Sequence, residues 1–135
     1  MIDRKAFRSL SSGLYLITAK AGDVRCGCVV NTLVQVASEP ATLSVSLNKE
    51  NATTAAILES GRFAATVLAE DTPMELIGTF GFHTSADTDK FAAGVAGRPD
   101  DSCFYHIFRS FLSIKSYRTL LWNRAMLLVV FSIQP

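Results

Sequence analysis

Residues 27–53 read GCVVNTLVQVASEPATLSVSLNKENAT and contain the clearest strand pattern in the chain. Over residues 42–47, threonine and serine alternate with leucine and valine, which is the period of two of a β-strand with one apolar and one polar face. Glu39-Pro40 precedes this strand and separates it from an earlier extended run, because proline removes a ladder donor and biases the preceding residue toward extended geometry. The stretch predicts a mainly β fold.

Shorter elements are predicted on both sides of this stretch. In chain order they are a short helix over residues 3–10, a strand over 13–20, a turn at 21–23, a long extended run over 24–36, a helix over 51–60, a strand over 62–68, a helix to about 80 and a polar loop over 81–90. Asn51 is the predicted N-cap of the helix over residues 51–60, and Gly61 is predicted to end it. Thr72 is the predicted N-cap of the helix that reaches about residue 80, with Pro73 at its first helical position. Short strands with small helices between them predict one mainly β domain, built as a barrel.

The charge, cysteine content and hydrophobic stretches of the chain argue against several classes of protein. The chain has 135 residues with 13 basic and 12 acidic side chains, so its net charge of +1 argues against nucleic acid or a membrane surface as partner. Three cysteines are too few for a disulfide scaffold, which favours a reducing compartment. The opening MIDRKAFRSL carries charges where a secretory leader is apolar. The longest hydrophobic stretch, 126–133, is shorter than the roughly 20 residues that span a bilayer. A soluble cytoplasmic domain is the resulting prediction.

Several common catalytic motifs are missing from the sequence. No G-x-G-x-x-G follows a strand and no P-loop is present. Cys26 and Cys28 are one residue apart, which is not a zinc or redox spacing; on a strand they share a face and are predicted to pack as small hydrophobes. His83 and His106 have no neighbours suited to a triad or a metal cluster. The sequence therefore supports neither a hydrolase nor a metal enzyme.

Polar side chains interrupt the hydrophobic strands, and two interpretations of them are possible. These side chains are Asn31, Thr32 and Gln35 in the run 24–36, and Ser46, Asn48, Lys49 and Thr53 at the end of the alternating strand and after it. In the first interpretation they form the solvent face of an antiparallel sheet. In the second they hold a flat ligand such as an isoalloxazine ring, which needs donors and acceptors at one edge and apolar contact over its faces. The predicted helix start at Asn51 would then attract a phosphate.

Two segments resemble a known family. The stretch 27–53 and TPMELIGTFGFHTSADTDKF at 72–91 are similar to the flavin reductase-like family, the FMN-binding split barrels. The similarity is strongest to flavin reductase domains that occur alone or fused to rubredoxin, although no rubredoxin-type C-x-x-C pair follows here. It covers about residues 3–91, so residues 1–97 are predicted to be a flavin reductase-like split-barrel core.

This resemblance implies a homodimer that binds FMN near the subunit interface, with NAD(P)H as co-substrate and an optional redox partner protein. It also implies roles for ten residues. Asn31, Thr32 and Gln35 would face the isoalloxazine or ribityl chain; Ser46, Asn48, Lys49 and Thr53 the ribityl and phosphate groups; His83, Ser85 and Lys90 the flavin or the nicotinamide nucleotide. His83 also fits a solvated loop position, and Phe91 is predicted to pack in the interior.

The functional hypothesis is an NAD(P)H-dependent flavin reductase. Such a protein needs no acid–base pair of its own, because the cofactor carries the redox chemistry while the protein binds, orients and tunes it. The acceptor could be free flavin, oxygen, ferric iron or a redox protein. Two alternatives stay open: an FMN-binding electron-transfer module that does not use NAD(P)H, and an inactive truncated homologue.

Residues 98–135 differ from the rest of the chain. This tail contains none of the eight glycines, seven of the 13 aromatic residues, and five basic against two acidic groups. Helical spacing predicts a basic amphipathic helix over 102–121, residues 126–133 are a candidate strand, and the absence of glycine argues against a hairpin. Genuine divergence and a changed reading frame both explain the shift, and reading the gene in its other frames separates them. A barrel that lacks its usual closing strands is expected to expose an unpaired edge and apolar surface, unless the tail or a partner covers them.

Overall fold

Two antiparallel four-stranded sheets, with short helices packed on them, form the described part of the chain. The computed structural model describes residues 3–39, 41–92, 111–114, 118–121 and 126–132. The elements are a 3-10 helix (Arg4–Ser9), β1 (Tyr15–Ala21), β2 (Val24–Val30), β3 (Val34–Ser38), β4 (Ala41–Asn48), α1 (Ala52–Ser60), β5 (Phe63–Val67), α2 (Met74–Phe82), β6 (Phe111–Ile114), β7 (Arg118–Leu121) and β8 (Met126–Ser132). The prediction of a mainly β fold with small helices is confirmed.

Strand order differs from chain order in both sheets. The first sheet has the order β2-β1-β5-β6 and the second β3-β4-β8-β7, with antiparallel pairing throughout. β1 and β2 form a hairpin at the predicted turn, where Gly22 adopts a φ of 56°, in the left-handed region that glycine reaches without strain. β2 and β3 are therefore edge strands of different sheets.

The single extended run predicted over residues 24–36 is wrong. It divides into β2, which pairs with β1, and β3, which pairs with β4 in the other sheet. The chain passes between the sheets at residues 31–33, which include Asn31 and Thr32. These polar residues thus mark a crossing between sheets and not one face of a continuous strand, a distinction that period-two patterning cannot make.

The main hydrophobic core lies between the two sheets and α1. β1 and β2 contribute Ile17 and both cysteines, β4 contributes Val45 and Leu47, and α1 covers them with buried apolar residues of its own. Cys26 and Cys28 are free thiols inside this core, so their predicted packing role is confirmed.

A smaller cluster covers the other face of the first sheet. Leu16 of β1 packs there with Leu76 and Phe80 of α2 and with Phe91. The rings of Phe80 and Phe91 meet edge to face with centroids 5.2 Å apart, a favourable aromatic geometry. The predicted packing role of Phe91 is confirmed.

The ends of α1 agree with the caps predicted from the sequence, whereas the start of α2 differs from its prediction. The Asn51 side chain accepts a hydrogen bond from the Thr53 N–H at 2.9 Å, and Gly61 ends α1 in the left-handed conformation. In α2, Pro73 and not Thr72 occupies the N-cap position and makes no side-chain capping bond. The buried Thr72 hydroxyl has no hydrogen-bond partner among the described residues. The helix continues to Phe82, two residues beyond its predicted end.

The tail supplies strands to both sheets. β6 pairs with β5, β8 pairs with β4 along seven residues, and β7 pairs with β8. The helix predicted over 102–121 is therefore wrong at 111–114 and 118–121; residues 102–110 and 115–117 lie outside the described part of the chain. The predicted strand over 126–133 is confirmed as β8, and the argument against a hairpin is wrong. β4 and β5 consequently have partners on both sides, so the tail itself covers edges that would otherwise be unpaired.

Candidate functional site

Polar residues converge where β2 ends, β4 ends and α1 begins; we call this region the junction (residues 31–32, 46–49 and 51–54). The Thr32 hydroxyl donates to the backbone carbonyl of Ser46 at 2.7 Å, which ties the crossing segment to β4. The Thr54 hydroxyl donates to the backbone carbonyl of Asn48 at 2.7 Å, which ties α1 to the end of the same strand. Hydrogen bonds from threonine side chains to backbone carbonyls thus hold the three segments of the junction together.

The junction contains one cation beside a helix N-terminus, and the exposed Glu50 carboxylate follows it in the chain. Lys49 is half-buried directly before the N-terminus of α1, where the helix dipole favours negative charge. The first turn of α1 contains no acidic residue that would neutralise this end. Asn48 uses its side-chain oxygen to accept the Glu50 N–H at 3.0 Å, which shapes the turn around Lys49. An anionic group is the ligand that this end of the helix favours.

β3 presents an exposed mixed surface beside the junction. All five of its residues are exposed, including Val34 and Val36 at 55% and 54%. Gln35 is exposed and donates from Nε2 to the carbonyl of Ala37 at 3.3 Å, and the Asn31 amide before the strand is exposed as well. Amide groups and apolar side chains are therefore available together along this edge.

The loop after α2 returns to the edge of the first sheet. The N–H of Gly27 in β2 donates to Ser85 Oγ at 3.2 Å. Lys90 Nζ donates to the Gly27 carbonyl at 2.8 Å and to the Phe80 carbonyl at 3.3 Å. Lys90 is buried, whereas His83 is exposed where α2 ends. The loop thus uses two of its predicted site residues to bind backbone groups of β2.

Cys28 lies between the junction and this loop. Burial raises the pKa of its thiol above the ordinary value, an effect partly offset by the neighbouring side chains of Thr53 and Asn51 and by the charge of Lys90. Burial likewise lowers the pKa of the Lys90 ammonium, and the two cysteines act in the opposite direction. Cys28 is therefore held as a neutral thiol at neutral pH, and it is suited to packing and not to nucleophilic attack.

We expect Cys28 to resist alkylation in the folded protein. At pH 8 its labelling by iodoacetamide should be at least about tenfold slower than in guanidinium-unfolded chain, because both burial and the raised pKa suppress the thiolate. Because the folded-state pKa lies above the unfolded one, the stability that the neutral thiol contributes is complete below the unfolded pKa. It is lost as the pH rises through the folded value. Peptide mass spectrometry measures Cys28 separately, and equal rates in the two states would contradict the assignment.

The structure groups the ten predicted site residues into two sets. One set lies at or beside the junction: Asn31, Thr32, Gln35, Ser46, Asn48, Lys49 and Thr53. The other belongs to the loop after α2: His83, Ser85 and Lys90. Thr53 is fully buried and its N–H serves the Asn51 cap. Gly27, the backbone partner of the loop, is not among the predicted site residues. A glycine inside an apolar strand often marks the close approach of another group, and this pattern could have identified it.

The described residues contain no cluster of three or more His, Cys, Asp or Glu side chains that could hold a metal ion. None of the described helices is long and apolar enough to cross a membrane.

The fold is that of the flavin reductase split barrels. A solved structure, the flavin reductase domain protein from Arthrobacter sp. FB24, superposes on 98% of this chain and 80% of its own with a TM-score of 0.81 at 16% sequence identity. At this identity the likeness concerns the fold alone. It includes the tail strands, beyond the residues 3–91 that carry the sequence resemblance.

The chain belongs to the family of the flavin reductase like domain, whose model matches residues 7–106. It is 46% identical over 90 residues to the ferric-chelate reductase (NAD(P)H) of Archaeoglobus fulgidus, an alignment covering 67% of this chain and 53% of the relative. It is 47% identical over 91 residues to the high molecular weight rubredoxin of Moorella thermoacetica, covering 67% of this chain and 40% of that protein. The aligned chain thus spans about half or less of each of these relatives.

Proposed function

We propose that the chain is an NAD(P)H-dependent flavin reductase that binds FMN at the junction and along β3. The observation that carries the proposal is membership of the flavin reductase family over residues 7–106. The name of the Archaeoglobus relative supports the nicotinamide substrate and suggests a ferric chelate as acceptor, and that of the Moorella relative suggests a rubredoxin-type partner.

The residues beside the junction fit an isoalloxazine ring. Its pyrimidine edge needs hydrogen-bond donors and acceptors, which the exposed amides of Asn31 and Gln35 offer. Its faces need apolar contact, which Val34 and Val36 offer on the same exposed edge. These four residues are the ring-binding surface in this proposal.

The end of β4 and the start of α1 fit the ribityl phosphate. Lys49 supplies a cation, Asn48 an amide, and α1 the positive end of a helix dipole free of first-turn carboxylates. Ser46 and Thr32, joined by their hydrogen bond, set the distance between the ring-binding and phosphate-binding parts. Thr53 is buried and donates its N–H to the Asn51 side chain, so in this proposal it fixes the start of α1 and does not contact the phosphate. FMN carries a single phosphate, which one lysine and one helix N-terminus can bind, and it is the flavin that we propose.

The residues of the junction and β3 would hold FMN, which would supply the hydride-transfer and electron-transfer chemistry between NAD(P)H and the acceptor. The protein residues hold and orient the cofactor. His83, exposed at the end of α2, is the proposed contact with the nicotinamide nucleotide. No protein acid or base is required for this transfer, in keeping with the uncharged surface of β3.

The proposal also includes a homodimer in which a second copy of the chain covers β3. β3 is an edge strand with two large apolar side chains exposed, and edges of this kind are normally covered. A second copy of the chain covering β3 would also shield the ring-binding surface from water. Size-exclusion chromatography with light scattering measures the state directly.

Absorbance spectroscopy of the purified chain tests the function. After desalting and FMN titration, we expect bound flavin with visible absorbance that NADH or NADPH bleaches under anaerobic conditions. Free FMN with the same nucleotide and no protein is the control. Bound flavin that neither nucleotide bleaches would replace the proposal with the electron-transfer module suggested by the rubredoxin relative. A chain that binds no flavin would overturn both.

A further inference from the structure

Lys90 joins two elements that are distant in sequence. Its ammonium bonds the carbonyl of Gly27 on the edge strand β2 and the carbonyl of Phe80 in the last turn of α2. The side chain is only 3% exposed, and Nζ lies 5.7 Å from the centroid of the Phe80 ring. Neither carbonyl is easily satisfied otherwise, since one lies at a sheet edge and the other at a helix C-terminus.

The last turn of α2 lacks a cation of its own, so Lys90 supplies the charge that this helix end favours. Ser85 completes the attachment by accepting the Gly27 N–H. Both polar backbone groups of Gly27 are thereby bonded by the loop. We call Gly27, Ser85 and Lys90 the clasp.

The clasp requires glycine at position 27. A Cβ atom there would lie 2.9 Å from two ring carbons of Phe80 and 3.3 Å from Thr18 Cγ2. Because Phe80 is itself buried, its ring cannot move aside without disturbing the smaller cluster. The close approach of helix and strand therefore depends on the absence of a side chain.

Position 27 lies on the strand that leads to the proposed flavin site. Gly27 precedes Cys28, which contacts Thr53 and Asn51 of the junction, and the strand ends at Val30 just before Asn31 and Thr32. A displacement of the β2 edge would therefore move the ring-binding amide of Asn31. It would also strain the Thr32 hydrogen bond to β4.

We infer that Lys90 is a positioning residue for the flavin ring and not a ligand of its phosphate. Its ammonium is already bonded to two carbonyls inside the protein, and it acts through β2 on Asn31 and Thr32. This inference rests on the proposed flavin site. It assigns Lys90 a different task from Lys49, which faces the phosphate end directly.

FMN and riboflavin distinguish these two tasks, because they share the ring and differ in the phosphate. In Lys90→Met we expect both ligands to bind about fivefold to tenfold more weakly, by the same factor, since two buried carbonyls lose their donor and the ring surface shifts. Lys90→Arg, which keeps the charge and several donors, should recover most of the affinity. Lys5→Met at an exposed site is the matched control and should leave both affinities unchanged.

Weakened binding of FMN with unchanged binding of riboflavin would make Lys90 a phosphate ligand and overturn the inference. Unchanged affinity for both would overturn it as well. Titrations are made where circular dichroism shows every variant folded; if Lys90→Met does not fold, Ser85→Ala should show a weakening of about twofold to threefold for both ligands. Hydrogen exchange of residues 26–32 without flavin provides a separate readout. Faster exchange in the variant supports the clasp even if wild type binds no flavin, an outcome that would defeat the proposed function alone.

Discussion

Replacing Phe80 by alanine should lower the free energy of unfolding by about 3–5 kcal/mol. The ring is 1% exposed, fills the space above Gly27, meets Phe91 edge to face and lies beneath the Lys90 ammonium. Truncation would leave a cavity at the contact between α2 and the first sheet. Because a domain of this size is stabilised by only about 5–15 kcal/mol, the loss would be a large fraction of the total. Urea denaturation followed by circular dichroism measures it.

Phe82→Ala is the matched control for this change. It removes the same side chain from the same helix, but Phe82 is 84% exposed, so its loss should alter stability by no more than about 0.5 kcal/mol. Equal effects of the two substitutions would show that α2 does not pack on the first sheet through Phe80. A loss below about 1 kcal/mol for Phe80→Ala would lead to the same conclusion.

Replacing Lys49 by alanine should weaken FMN binding by about tenfold to a hundredfold and leave riboflavin binding within about twofold. The reason is a charge-assisted hydrogen bond to phosphate, worth about 1.5–3 kcal/mol, that riboflavin cannot form. Fluorescence titration with each flavin gives the two dissociation constants. The FMN affinity should also fall with added salt in wild type, and less steeply in the variant.

Lys5→Ala provides the comparison for Lys49→Ala, because it removes the same charge from an exposed position in the 3-10 helix. It should leave the affinities for both flavins unchanged. If Lys49→Ala weakens both flavins equally, Lys49 does not contact the phosphate. The placement of the phosphate end at the start of α1 would then be wrong.

Local signals predicted a good part of the fold. The alternation over residues 42–47 corresponds to β4, and the Asn51 and Gly61 caps bound α1, because hydrogen bonds within a few residues decide both features. The start of α2 was misplaced although Thr72-Pro73 is a common helix opening. There the threonine hydroxyl is buried, while the proline takes the cap position.

The sequence also indicated the polar residues of the candidate site, but it did not indicate that they divide into one set at the junction and one in the loop after α2. Asn31 and Thr32 look like the polar face of a strand, and they become a crossing between sheets only because β2 and β3 choose different partners. Lys90 looks like a solvated loop cation, and its burial follows from contacts with α2 and β2. The described residues of the tail form strands and not the predicted helix, because pairing with β4 and β5 outweighs its helical spacing.

By itself the sequence determined the mainly β class, the capped helix α1, the polar residues of the junction and the resemblance to flavin reductases. Each of these depends on residue type or on spacing within a short window. Tertiary structure alone decided that the tail strands complete both sheets and that the Lys90 ammonium meets Gly27 across 63 positions of chain. Such contacts depend on strand order, and strand order is set by the packing of the whole core and not by the local periodicity of any segment.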